Sequence, residues 1–376
     1  DSDKIANLID DCRAMGLAVD PPDVNASEYR FSVREGRIRF GLGAVKGVGR
    51  GAVEALIEAR QNHGGFDSLA AMCSEIDLQR VNRRTLEALI RSGALATIEP
   101  SAARLTAALD GALRSAEQRQ SDRASGQVGL FGEQHEAPPE PEPVEAVVPW
   151  PEAQRLRAER ETLGLYLTGH PMDAFRDELA QFVDARLGRL ERLLPENGQT
   201  RRGMVLAGLI MAVRRRAGRG AFVALDDGSG RMEVAVFEEL FTQVADRLVR
   251  DEIVVVEGDV ALDDYSGGYR MVARHVRSLN EARERYTQLV RITVNCGYDD
   301  LTETLRATLA PYRNGQALVR VSYRNSRARA ELRLGDEWKV TPCDELLAAL
   351  NEIDAVSNVQ FVYQREPVQQ NAETAA

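Results

Sequence analysis

"AVKGVGRGAVEALIEAR", residues 44–60, sets a Gly-Val-Gly turn directly before a helical pattern. Such a turn leaves backbone N–H groups without intrahelical partners at the helix N-terminus, and together with the helix dipole they form an anion site. Lys46, Gly47, Gly49 and Arg50 are its candidate residues, the two cations flanking the turn. That geometry suits a phosphate. A second stretch, "LQRVNRRTLEALIRSGAL" at 78–95, repeats the turn-then-helix order, with Arg80, Arg83 and Arg84 where its helix opens and Gly93 where it ends.

Two such units in succession read as a tandem helix-hairpin-helix, a module that holds the DNA backbone without reading bases. A plainer reading of the same residues is a helix C-cap, a turn and a solvated basic face, with Arg83 and Arg84 only at the surface. Charge distribution favours the first reading. The chain of 376 residues has a net charge of −10, but a net charge is a sum over segments with different jobs. Residues 30–95 hold eleven Lys or Arg against seven Asp or Glu, whereas Glu133 to Glu145 contains five Glu and no Lys or Arg.

Outward from this module the composition shifts repeatedly. Residues 1–29 read as a short amphipathic helix, KIANLIDDCRAMG, ended by Gly16 and followed by an extended strap, PPDVNAS, where Pro21 and Pro22 forbid helix. Residues 30–120 add a β-like pair, YRFSV and RIRFGLG, and a helical stretch at 101–120 to the two hairpin units. Residues 121–150 are rich in Gly, Pro and Glu and too poor in apolar side chains to offset their ordering entropy, so a flexible linker is expected. Within it, Gln127, Val128, Gly129, Leu130 and Phe131 place two large hydrophobes where nothing nearby folds over them. A helical connector is expected over 151–198; its Gly164, Gly169 and Pro171 read as a helix end and carry no chemistry.

Residues 199–280 contain five strand-like runs (GMVLAGLIMAV, GAFVALDD, RMEVAVF, DEIVVVEGDV, GYRMVARHV) with a helical insert between the third and fourth. Five strands with a helix there is the OB-fold order. Single-strand contact in such a barrel comes from basic loops and stacking aromatics. The candidates are Arg214, Arg215, Arg216 and Arg219 in its first hairpin, with Phe222, Phe237, Phe241, Tyr265 and Tyr269 as the aromatics; core phenylalanines and a solvated loop tip are the alternative. Asp226-Asp227 and Asp263-Asp264 read as turn chemistry rather than metal ligands, because no third carboxylate stands with either pair. Residues 281–376 mix strands (QLVRITVN, ALVRVSYRN, VQFVY) with helices (LTETLRATLA, CDELLAALNEI), as a small α+β domain does.

The expected fold class is therefore multidomain α+β. No run of about 18 apolar residues is present, and the four cysteines form no CxxC pair, which argues against a membrane span, a structural metal and a disulfide framework. A cytoplasmic protein is expected. The chain starts at Asp1, without Met and inside a helical pattern, so a portion of something longer is expected.

Five stretches together resemble one family. PPDVNAS (21–27), GLGAVKGVGRGAVEALIEAR (41–60), VNRRTLEALIRSGA (81–94), ERETLGLYLTGHPMDAF (159–175) and LDDGSGRMEV (225–234) are similar to the C-terminal third of bacterial DNA polymerase III alpha subunits, the replicative C-family polymerases. The resemblance implies DNA contact by the hairpins, a QxxLF-type peptide at Gln127–Phe131 that docks on the sliding clamp (beta), an OB domain, and a terminal domain that binds the tau subunit of the clamp loader. It implies no catalytic residue and no cofactor here, since the palm that uses Mg2+ lies upstream in the family. Two other classes stay open: an independent helix-hairpin-helix/OB repair or processing enzyme, disfavoured by the missing P-loop GxxxxGK[ST] and nucleotidyl-lysine motif, and an RNA-binding OB protein.

Overall fold

Helix punctuation organises the first forty residues of the computed structural model, which describes residues 2–124, 147–193, 201–263, 268–295, 300–324 and 329–364. The chain forms two units, 1–171 and 172–376.

In the first unit, α1 (Ser2–Ala14) stops at Gly16, whose φ of +73° only glycine adopts freely. Strand β1 (Val19–Asp20) then runs parallel to β3 (Arg37–Arg39), which forms a hairpin with β2 (Ser32–Arg34). The strap after β1 is pinned at its centre: Val24 N–H donates to Ala94 O at 2.9 Å, and Asn25 exchanges two hydrogen bonds with the Phe66 backbone. Helices α2 (Arg50–His63), α3 (Leu69–Glu75), α4 (Arg83–Arg91), α5 (Ala102–Ala124) and α6 (Glu152–Leu163) complete the unit. Leu42, Leu56, Met72, Leu86, Leu89 and Leu109 are fully buried where these helices meet. Cys73 lies in that core, where burial pushes its thiol up to about 12, so it is packing rather than chemistry.

The second unit opens with α7 (Arg176–Leu179) and a 3₁₀ turn at Leu187–Arg192. A five-stranded closed barrel follows, of β4 (Arg202–Arg216), β5 (Gly220–Asp226), β6 (Arg231–Val236), β7 (Ile253–Leu262) and β8 (Tyr269–Ser278), with α8 (Glu238–Val244) between the third and fourth strands. Closure depends on the length of β4. Its first half pairs with β7 and its second half with β5, and the register shifts between Ile210 and Ala212, where the strand turns the corner. This is the OB order read from the sequence.

Helix α9 (Leu279–Tyr286) leads into β9 (Thr287–Asn295), α10 (Leu301–Leu309), β10 (Arg313–Arg324), β11 (Arg329–Arg333), α11 (Asp344–Asn351) and β12 (Val356–Tyr363). The four strands form a sheet in the order β11-β10-β9-β12. Leu305, Leu309, Leu346 and Leu350 from the helices cover Val290, Ile292, Val319 and Val321 on one face of it. Among the described residues no helix is long and apolar enough to cross a membrane.

Candidate nucleic-acid interface

The turn before α2 works because of two glycines. Gly47 has φ +88°, strained for any other residue, and Gly49 caps the helix with no side-chain acceptor. The first N–H groups of α2 are left to a ligand, as at any helix N-terminus without a capping side chain. The turn is anchored from outside: Lys46 N–H donates to Thr162 O at the end of α6, at 2.8 Å.

At the second hairpin the polar turn is built locally. Asp77 accepts from Gln79 N–H through Oδ1 at 2.9 Å, and Asn82 caps α4 by accepting from Thr85 N–H at 3.1 Å. The two turns are neighbours. A Cβ on Gly47 would sit 3.4 Å from that of Ala88 on α4, and one on Gly51 would sit 3.9 Å from Arg80 Nε. Lys46, Gly47, Arg84 and Arg91 line one open cleft as a result, together with Glu87 and with Glu161, which pairs with Arg91.

The cations divide into two groups. Arg50 lies 2.9 Å from Glu54 and over the Tyr29 ring at 5.6 Å, while Arg80 reaches Glu54 and Glu58 at 3.5 and 3.7 Å. Arg83 pairs with Glu87 at 2.8 Å and Asp110 at 2.6 Å, and these two carboxylates raise its pKa above the ordinary guanidinium value. Lys46 and Arg84 are exposed and have no ion pair among the described residues. Those two are free to meet a phosphate, whereas Arg50, Arg80 and Arg83 must first exchange a carboxylate for it.

On the barrel, Arg214 pairs with Glu233 of β6, Arg215 stacks on Phe241 at 4.6 Å, and Arg216 stacks on Phe222 at 4.7 Å. Arg219 sits exposed in the β4–β5 turn between Gly218 and Gly220. Phe241 is core, so it offers no stacking surface, but Phe222 lies half-buried on the outer face and Phe237 is 58% exposed. The sequence reading missed Arg270, which reaches Glu233 at 2.9 Å and also lies over Phe222 at 5.5 Å. The β6–β8 pairing that brings it there is parallel and non-local. Tyr269 is half-buried beside it.

The Asp-Asp pairs are occupied by turns. Asp227 Oδ1 accepts from Ser229 and Gly230 N–H, its Oδ2 accepts from Leu187 N–H at 2.9 Å, and Asp226 accepts from Gly228 N–H and pairs with Arg231. This holds the 3₁₀ turn against the β5–β6 loop so closely that a Cβ on Gly188 would lie 2.2 Å from Ser229 O. Asp263 pairs with Arg270 at 3.5 Å. Asp264, Tyr265 and the peptide Gln127, Val128, Gly129, Leu130 and Phe131 lie outside the described residues.

Hairpins and barrel define a chain of nucleic-acid-binding modules. Residues 16–105 match the helix-hairpin-helix motif and residues 204–279 the OB-fold nucleic acid binding domain. Residues 304–353 match the C-terminal domain of DNA polymerase III subunit alpha. Over 96% of its length the chain is similar to DNA polymerase III subunit alpha, 42% identical over 366 residues in Vibrio cholerae and 40% over 375 residues in Escherichia coli K12. The corresponding subunit of Pseudomonas aeruginosa is 39% identical over 389 residues. The chain spans 32% of the length of each of these relatives, and the similarity is to a C-terminal portion of that bacterial replicative polymerase subunit.

Proposed function

We propose that this chain tethers a replicative DNA polymerase to its template, its sliding clamp and its clamp loader in the bacterial cytoplasm. The hairpin module holds duplex DNA by its phosphates, the barrel receives single strand, Gln127–Phe131 docks on the clamp, and the C-terminal module carries the tau contact. The chain needs no cofactor of its own; Mg2+ serves the catalytic part of the parent polymerase.

The observation that carries the reading is the meeting of the two hairpin turns, with Lys46 and Arg84 in one cleft and without an ion pair among the described residues. Phosphate contacts of this kind are independent of sequence and release counterions, so each lost contact makes the salt dependence shallower by about 0.9. Lys46→Ala with Arg84→Ala should therefore weaken binding equally for unrelated duplexes and reduce the slope of log K against log salt by about 2. An unchanged slope means that the hairpins do not hold the backbone. Arg83→Ala, whose partners are Glu87 and Asp110, should have the smaller effect.

A further inference from the structure

The face of the C-terminal sheet opposite its helices carries an arginine row that neither hairpins nor barrel explain. Register sets it out. Arg333 of β11 stands opposite Arg320 of β10, which stands opposite Arg291 of β9, which stands opposite Gln360 of β12. The next row on the same face reads Glu331, Ser322, Thr293 and Asn358. The alternate residues Val290, Ile292, Val294, Val319 and Val321 are buried beneath the helices, so these two rows lie on the opposite face.

Like charges directly opposite one another destabilise a sheet, and here three arginines adjoin across a row roughly 10 Å long, two strand spacings of about 4.8 Å. The local acids do not complete the pairing. Glu331 is shared between Arg320 and Arg329, each at 3.5 Å, and Asp336 between Arg333 at 3.4 Å and Lys339 at 3.8 Å. Arg291 has no ion pair among the described residues, and its Nε is buried without a hydrogen-bond partner. Ser322, 9% exposed, likewise has an unpartnered Oγ in the adjoining row. Buried donors without acceptors are costly, so the same face is short of acceptors as well as of negative charge.

We propose that this face binds the sugar–phosphate backbone of a nucleic-acid strand, as a third contact beyond the hairpins and the barrel. Phosphate oxygens are contacted by Arg, Ser, Thr, Asn and Gln side chains, which are the residues of these two rows apart from Glu331. The two rows hold no aromatic to stack a base, so the contact they offer is to the backbone, and an apolar row, Leu318, Leu289 and Val362, borders them on the same face.

The test uses the full chain and an oligothymidylate of about 30 nucleotides, long enough to reach beyond one barrel site. Arg320→Ser with Arg333→Ser should make the salt slope shallower by about 1.4, at about 0.7 per phosphate on a single strand. Arg250→Ser with Arg306→Ser removes the same charge elsewhere in the second unit and should leave the slope unchanged. Arg320→Lys with Arg333→Lys should retain most of it. The loss should be the same in the wild-type and in the Lys46→Ala/Arg84→Ala background, which separates this face from the hairpin reading. An unchanged slope in the folded serine variant, shown by an unaltered melting curve, overturns the proposal. So does poly-L-glutamate binding that requires Arg320 and Arg333 when oligothymidylate binding does not, which assigns the face to an acidic protein.

Discussion

At the scale of single residues, the charges that sequence marks out are redistributed by partners it does not reveal. Arg83 finds Asp110 on another helix, and Arg270 reaches the outer face of Phe222 through a parallel pairing. Asp227 was legible as turn chemistry because Gly228, Ser229 and Gly230 follow it, and the same carboxylate also fixes Leu187 forty residues away. Arg283 gave no sequence signal at all. It is 1% exposed, bound twice by Glu178 at 2.6 and 2.9 Å, bonded to Asn280 at 3.1 Å and paired with Asp344, under the rings of Phe175 and Phe361. Burial works to lower its pKa, but the hydrogen bonds it donates to Glu178 and Asp344 outweigh that and raise it, so it stays charged. Burial and the same Glu178 push the Tyr363 phenol up, and it donates to Glu178 as a neutral group. Removing one member of a buried pair strands the other, at about 3 to 5 kcal/mol. Arg283→Met should destabilise the second unit by that amount in urea titration, and adding Glu178→Leu should recover part of the loss. A cost below about 1 kcal/mol would assign the cluster to solvent screening instead.

At the scale of elements, helix punctuation was the readable signal. Gly49 and Gly93 bracket the hairpin helices where the sequence places them, Asn82 caps the second of them, and the five barrel strands follow their β-branched runs. Three elements escaped it for different reasons. Strand β11 is exposed at all five positions, so it has no alternation to read. Helix α3 is only seven residues long. Helix α9 begins with a capping box, Ser278 to Glu281, whose signature is masked because the barrel strand before it runs directly into its cap. The Asn82 cap is the element on which the second hairpin depends, since it orients α4 and hence Arg84. Asn82→Ala should cost about 1 kcal/mol of first-unit stability, and Asn82→Asp should restore it. Chemical denaturation of the two variants checks this; an unchanged Asn82→Ala midpoint would mean that tertiary packing alone sets the start of α4.

At the scale of the whole molecule, module order was legible because each module has its own period, but the assignment of the connector was not. Residues 151–198 look uniformly helical and polar, yet α6 packs with α4 in the first unit and α7 lies in the second. The longest-range question is what the assembled chain does among its partners. Nucleotidyl transfer needs carboxylates holding metal ions beside the triphosphate, and Asp226 and Asp227 are occupied by turn N–H groups and by Arg231 and Arg186. The chain should therefore not extend a primer with Mg2+ and four nucleotides. It should instead slow a reconstituted polymerase by occupying the clamp through Leu130 and Phe131. Burying such side chains is worth about 1.5 to 3 kcal/mol each, a large share of the roughly 8 kcal/mol of a micromolar contact. Gln127→Ala, Leu130→Ala and Phe131→Ala together should abolish clamp binding in calorimetry and remove most of the inhibition, and excess clamp should relieve inhibition by the wild-type chain. Inhibition of equal strength by the triple variant would move the competition from the clamp to DNA or the clamp loader. Primer extension by a preparation free of host polymerase would place a metal-binding carboxylate site within this chain.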